Sequence, residues 1–350
     1  MAAPVFTASA EKKKCDTTST ARLDRHSKKN IYSRNAEVAY PVVMQGISID
    51  PDGSIWYTML CNDILHITHG KPNKSNEPAD AKADYVQLHY FGHGTNTAVE
   101  RDGNDHYIWA GCYGANYGHG YWGERLIGRI KVEDGRVVPT DKCDEYYYFG
   151  NYTNVQPTVD TEHDQLAIQF DGLPDQGTVD FIVYRLSEAK KAPLKEVEIP
   201  CTDGFMINDV NSHNTITTKV MAHDLTTLTP IAISRCPWRN DPNITYHPYQ
   251  GFDVNGDRIY FVEGSETPQS QAFLTVYDFN GNVVEERTQI QAVADTTFTR
   301  EQGLSYPARF ESEGVKVKGN KIYFGFSGRF RTPDDHKYYQ TVLCYPKPKK

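Results

Sequence analysis

The chain has 350 residues, a net charge of −8, 23 tyrosines, 26 glycines and 19 prolines. That is the composition of a β protein rather than a helical bundle, and the length suits two ordinary domains or one large all-β domain. Net negative charge with scattered lysines argues against a nucleic-acid partner, and no apolar run approaches the ~18 residues of a membrane-spanning helix.

Residues 1–40 lack hydrophobic periodicity and read as an arm. Its beginning, "MAAPVFTASAEKKK", looks like a start methionine joined to a processed end, which predicts a secreted or cell-surface protein whose signal has been removed. The stretch "AEVAYPVV" at the end of the arm offers a closing strand. From residue 41 a pattern begins and recurs five times: "QGISIDPDGSIWYT" from Gln45, "HGTNTAVERDGNDHYIWAG" from His93, "QPTVDTEHDQLAIQF" from Gln156, "QGFDVNGDRIYFVEG" from Gln250 and "EGVKVKGNKIYFGF" from Glu313. Each unit has a polar residue, then Gly (Pro in the third), a short strand, a turn, and a strand rich in Ile, Tyr, Trp and Phe.

Further strands follow within the units: "ILHIT" and "YVQLHYF", "RLIGRIKV" and "EYYYFG", "FIVYRL" and "KEVEIP", "FLTVYDF" and "VVEERTQI", then "YQTVLCY". Three to four antiparallel strands per unit predict an all-β chain folded as a single β-propeller over residues 41–345, with five blades, or six if the long spacing between Gln156 and Gln250 hides another. In that architecture the first strand of each blade lines the axis, and glycine there lets neighbouring backbones approach closely. Residues 346–350, "PKPKK", form a basic tail.

Placed at one channel mouth, Gln45, Gln156 and Gln250 offer amide donors and acceptors that suit sugar hydroxyls, although water in a structural channel would satisfy them equally. His93 in "FGHGTN", with Asn96 after it, is either a general base or a histidine bonded to a neighbouring blade. Glu313 is its acidic companion or a backbone acceptor. Arg309 would pair with a ligand carboxylate or phosphate, or with Glu311 or Glu313. The loop from Gly111 to Glu124 holds Tyr113, Tyr117 and Trp122, which are either sugar platforms or interblade packing. "CPWRNDPNITYHPYQ" sets Trp238, Arg239, Tyr246 and His247 ahead of Gln250.

No spacing supports a metal site. His89 and His93 stand four apart outside any helix, and His66 and His69 fall on opposite faces of a strand. No cofactor is expected. Seven cysteines without a CxxC pair argue against a zinc ribbon, leave at least one thiol free, and keep one or two disulfides open.

The motifs "QGISID…IWYT", "FGHGTNTAVE…YIW", "NVQPTVD…LAIQF", "YQGFDV…IYFVEG" and "ESEGVKV…IYFGF", in that order over about residues 42–345, resemble the propeller shared by helveticin J-type bacteriocins, teichoic-acid biosynthesis protein C and certain staphylococcal phage receptor-binding proteins. The resemblance implies a five-bladed propeller associated with cell-wall or other extracellular glycans, and the long stretch after residue 200 departs from it. The expected function is binding of an acidic polysaccharide at the channel mouth by a monomer. Cleavage by β-elimination would use His93 as base, Arg309 to neutralise the uronate and Tyr246 or Tyr306 as acid, with Glu313 beside them. The alternative is a non-catalytic adhesin, receptor-binding or bacteriocin-like module. A scaffold with a water-filled channel ranks third.

Overall fold

In three of the five units the polar-glycine pair is a β-bulge, and a fourth carries its bulge just ahead of Gln156. Pairing skips a residue between Met44 and Gly46, between Thr153 and Gln156, between Tyr249 and Gly251, and between Ser312 and Val315. The extra residue bends the strand and re-aims its side chains just where it reaches the axis. A computed structural model describes residues 23–38, 42–77, 79–81, 83–116, 121–171, 177–209, 211–265, 271–304, 310–329 and 338–347. It is a ring of five small antiparallel sheets, a five-bladed β-propeller.

Blade 1 runs outward through Met44–Ile49, Ile55–Cys61, Ile64–Gly70 and Ala83–His89, and blade 2 through Ala98–Asp102, Asp105–Cys112, Leu126–Lys131 and Glu145–Tyr148. Blade 3 uses Thr153–Asp160, Gln165–Asp171, Thr178–Arg185 and Ala232–Pro237, and blade 4 uses Tyr249–Asn255, Arg258–Gly264, Ala272–Asp278 and Val283–Gln289. Blade 5 has only three strands of its own, Phe310–Lys318, Lys321–Arg329 and Tyr338–Pro346. Its fourth is Ile31–Val38 from the N-terminal arm, antiparallel to the last strand.

Five apolar clusters hold the ring, one per interface. Trp56, Leu65, Ile108 and Leu126 fill the gap between blades 1 and 2, and Trp109, Tyr147, Leu166 and Ile168 that between 2 and 3. Phe181, Phe252 and Phe261 join 3 to 4, Val262, Leu274, Phe324 and Leu343 join 4 to 5, and Tyr323, Val342, Ile47 and Tyr57 join 5 to 1. Each fully buried aromatic or aliphatic side chain stabilises by roughly 2–3 kcal/mol. These are facing sheet surfaces, so the second strand of every blade reads as an apolar run.

The surplus between Gln156 and Gln250 is not a sixth blade. After Thr178–Arg185 the chain leaves blade 3, and Leu194–Thr202 with Thr215–Asp224 forms a hairpin on the outer edge of blade 2, parallel to Glu145–Tyr148. "KEVEIP" therefore belongs to blade 2, and Ala232–Pro237 completes blade 3. Val197, Ile199, Cys201, Val220 and Ala222 share one face of the hairpin and sink into the core between blades 1 and 2, which fixes its place.

At the axis the glycines converge. A Cβ on Gly251 would lie 3.3 Å from the Gly314 Cα, one on Gly314 3.6 Å from the Gly46 Cα, and one on Gly46 3.4 Å from the Gly94 oxygen. Blades 2 and 3 break the register. Counted back from the turn, Gln156 takes the place of Gly251, not of Gln250. Likewise Ala98, not Gly94, is four residues before the last pair of its hairpin, so Gly92–Thr97 is an extra segment. Asn96 in that segment is not a ligand group. Its Nδ2 donates to the Pro157 oxygen at 2.7 Å and its Oδ1 accepts from the Phe252 N–H at 3.2 Å, tying three blades together. Asn96→Ala leaves both buried partners unsatisfied and is expected to cost roughly 2–4 kcal/mol in urea unfolding.

Below the glycines, buried polar side chains from three blades plug the axis. Lys316 Nζ lies 2.7 Å from Thr158 Oγ1 and 3.3 Å from Asp253 Oδ1, and Asp253 also accepts from Thr158 Oγ1 at 2.6 Å and the Val317 N–H at 2.7 Å. One lysine from blade 5 crosses to blades 3 and 4.

Candidate functional site

The mouth is built on the first residues of the innermost strands and on the His93 segment. Glu313 is buried there, while Gln45, Gln250 and Gln156 are half-buried. The Gln156 Oε1 accepts no hydrogen bond among the described residues. His93 is also half-buried, and its N–H donates to Glu124 Oε1 at 3.1 Å. The Glu124 carbonyl in turn accepts from the Val155 N–H at 3.3 Å, so one residue from the blade 2 loop links the His93 segment to blade 3.

Glu124 escaped the sequence reading. Its carboxylate lies over the Cα of Gly92 and its stem over Gly111: a Cβ on Gly92 would fall 1.2 Å from Oε1, and one on Gly111 2.8 Å from Cγ. The glycines of "FGHG" and "AGC" make room for this side chain. Burial pushes the Glu124 carboxyl up to about 7, its backbone hydrogen bonds pulling only partly back. Burial pushes His93 down to about 4, so near neutral pH it is an uncharged imidazole. Tyr249 approaches the same carboxyl. Burial and the nearby Glu124 raise its phenol well above the ordinary value, and its hydroxyl has no hydrogen-bond partner among the described residues.

These shifts act on stability with opposite signs. Glu124 keeps in the fold a proton that the unfolded chain has released. Its contribution is complete below its ordinary value of 4.5 and is lost as pH rises through about 7. His93 stays neutral in the fold, so its contribution is complete above 6.5 and is lost as pH falls through about 4. Between those ordinary values the two slopes oppose each other, each up to about 1.4 kcal/mol per pH unit. Glu124→Gln is expected to unmask stability that rises with pH, and His93→Gln stability that falls with pH. Urea midpoints measured across the window check this, and parallel curves for the two variants would refute it.

A chain of rings leads outward from Tyr249. It packs on Phe261 at 5.5 Å between ring centres, and Phe261 on Trp238 at 5.2 Å. Trp238 Nε1 donates to the buried Glu263 Oε2 at 2.7 Å, and Arg287 bonds the other oxygen of that carboxylate. The exposed Arg239 guanidinium stands 4.1 Å over the Trp238 ring, with φ +56° on a non-glycine residue and no carboxylate partner among the described residues. Left-handed backbone of this kind costs of order 1 kcal/mol and persists where its surroundings impose it. Tyr246 donates to Asn240 Oδ1 at 3.2 Å and lies beside Arg287; no contact with His93 is among its bonds. His247 stacks on Phe273 and is held by Gln271 and Ser265, both at 3.1 Å.

Tyr113 is a correction. It is 4 % exposed, packs against Tyr146 and Phe205, and belongs to the core between blades 1 and 2 rather than to a sugar platform. Tyr117, Tyr306 and Arg309 lie outside the described residues, as does the side chain of Trp122. At the opposite end, Asp160, Glu162 and His163 bring ligand atoms within 4.8 Å of one another. Asp160 already accepts from the Glu162 N–H at 2.9 Å, the His163 N–H at 3.3 Å and His163 Nδ1 at 2.6 Å, so the group is a self-bonded turn.

No family model matches the chain, and no curated protein matches it in sequence. Among solved structures, the tail fiber of Staphylococcus aureus phage P68 is similar over 91 % of this chain at 12 % identity, with a TM-score of 0.53. This chain spans only 52 % of that fiber. An α-L-arabinofuranosidase from Lactobacillus brevis aligns over 88 % of this chain and 94 % of its own, at 9 % identity and a TM-score of 0.38. A virginiamycin B lyase from Staphylococcus aureus aligns over 88 % and 96 %, at 11 % identity and a TM-score of 0.30. What the tail fiber shares with this chain is the propeller fold. The phage part of the expected resemblance thus has a structural counterpart, whereas no family or sequence match supports the helveticin J or teichoic-acid parts. Among the described residues no helix is long and apolar enough to cross a membrane.

Proposed function

We propose that this propeller is an extracellular glycan-recognition protein that binds an acidic polysaccharide across its Gln-lined mouth and the Trp238–Arg239 ledge. One observation carries the reading: the exposed Arg239 guanidinium lies over the Trp238 indole. An indole face takes the apolar C–H side of a pyranose, and a planar guanidinium takes a carboxylate in two parallel hydrogen bonds. The half-buried amides of Gln45, Gln156 and Gln250 supply donors and acceptors for hydroxyls deeper in the mouth.

Cleavage is the second reading, favoured by a neutral His93 whose backbone N–H rests on the protonatable Glu124. In β-elimination, an imidazole takes the proton beside the uronate carboxylate and an acid returns one to the leaving oxygen. A panel of uronate-containing and neutral glycans separates the two readings. Binding of the acidic members without product supports recognition. New ultraviolet absorbance from an unsaturated product, abolished by His93→Ala, supports elimination. Binding to no acidic glycan overturns both.

A further inference from the structure

Three of the six described cysteines, Cys112, Cys143 and Cys201, meet in the core between blades 1 and 2, all as free thiols. Cys112 ends the second strand of blade 2 and is fully buried; Cys143 is half-buried and follows the short 3-10 turn Thr140–Lys142. The Cys143 side chain packs against the cluster that holds Cys112, its thiol donating to the Thr140 oxygen at 3.7 Å.

The surrounding bonds set this contact. The Thr140 Oγ1 accepts from the Tyr113 N–H at 2.9 Å, locking the turn to the residue next to Cys112. The Tyr146 hydroxyl accepts from the Cys143 N–H and donates to the Thr140 oxygen, both at 2.9 Å. Gly128 lies beneath Cys143, where a Cβ would fall 2.4 Å from its sulfur. Strand pairing puts Cys112 opposite Leu126, two residues along from Gly128 and so on the same face. Both sulfurs are thus delivered to one side of one sheet by fixed backbone.

We propose that Cys112 and Cys143 form a redox-active pair that closes to a disulfide in an oxidising compartment, stapling the mouth loop's base to the crossover that covers blade 1. That crossover is the strand Val137–Pro139, parallel to the outer strand of blade 1. With glutathione disulfide as oxidant, the more accessible Cys143 sulfur attacks one glutathione sulfur and releases the first glutathione. Cys112 then displaces the second. The two protein thiol protons end on two glutathione thiols, and the protein sulfurs give up the two electrons that the oxidant gains. Burial keeps the Cys112 thiol protonated, which makes the second displacement the slow one. Cys201 is the competitor in the same cluster. The pairing does not depend on the glycan reading.

The test uses the full chain, equilibrated with glutathione disulfide, alkylated and then denatured. Loss of two of the seven thiols, a non-reduced peptide joining Cys112 to Cys143, and a thermal midpoint raised by roughly 3–8 °C are expected. Cys143→Ser should abolish the loss, and Cys201→Ser should keep both the loss and the linked peptide. Because Cys143 is half-buried, its serine variant keeps the test open if Cys112→Ser fails to fold. Seven reactive thiols after oxidation, or a link from Cys112 to Cys201 instead, would overturn the pairing.

Discussion

Trp238→Ala is expected to weaken binding of an acidic polysaccharide by at least about 30-fold, the loss typical of an aromatic anchor at the centre of a binding surface. The substitution removes the stacking face and leaves Arg239 without its support. The Glu263 carboxylate keeps Arg287, so the blade 4 rim stays charge-paired. Arg239→Ala is the sharper probe. It should cost roughly tenfold against uronate-bearing chains, vanish as salt is raised, and leave neutral glycans unchanged. Arg239→Lys keeps the charge but loses the planar stack, and an intermediate loss is expected. Calorimetric titration of folded variants gives the answer. Unchanged affinity in Trp238→Ala would remove the ledge from the proposal.

Lys316→Met is expected to destabilise the chain by roughly 3–5 kcal/mol, because it strands the Asp253 carboxylate in the axis without its counter-charge. At this chain length that is a fall of roughly 4–7 °C in thermal midpoint. Burial already raises the Asp253 carboxyl, and the Lys316 charge opposes that rise. Without the lysine the folded-state value climbs further. Protonation then relieves the stranded charge, so the deficit should shrink as pH is lowered and be largest near neutrality. A second change, Asp253→Leu in the Lys316→Met background, removes the charge altogether and should recover much of the loss. A shift under about 2 °C for Lys316→Met would mean that the plug carries little of the ring's cohesion.

How far the sequence led can be judged from these residues. The hairpin repeats, the aromatic second strands and the converging glycines are local patterns with a fixed period, and five blades follow from them. The bulges displaced part of that reading. Gln156 stands one step off its apparent position because blade 3 turns on a longer connection, and Asn96 lies in an extra segment that the "HGTN" motif conceals. The edge hairpin was legible as two strands, but its sheet depended on which face of Val197 and Ile199 found a core. Glu124 was hidden for a similar reason. Nothing near it in the chain marks it, and its burial depends on Gly92, far earlier in the chain. Lys316 and Asp253 each look like a solvated strand residue until the ring closes and turns them toward one another.

The strand Ile31–Val38 gives the ring a single seam. The inner three strands of every blade follow one another along the chain, whereas the fourth strand of the fifth blade comes from the N-terminal arm. Detachment of that early strand would bare the flank of Tyr338–Pro346 and turn a closed circle into an open arc. Mechanical or thermal failure should therefore start at this join and spread around the circle, with the wedge between blades 2 and 3, opposite the seam, the last to part.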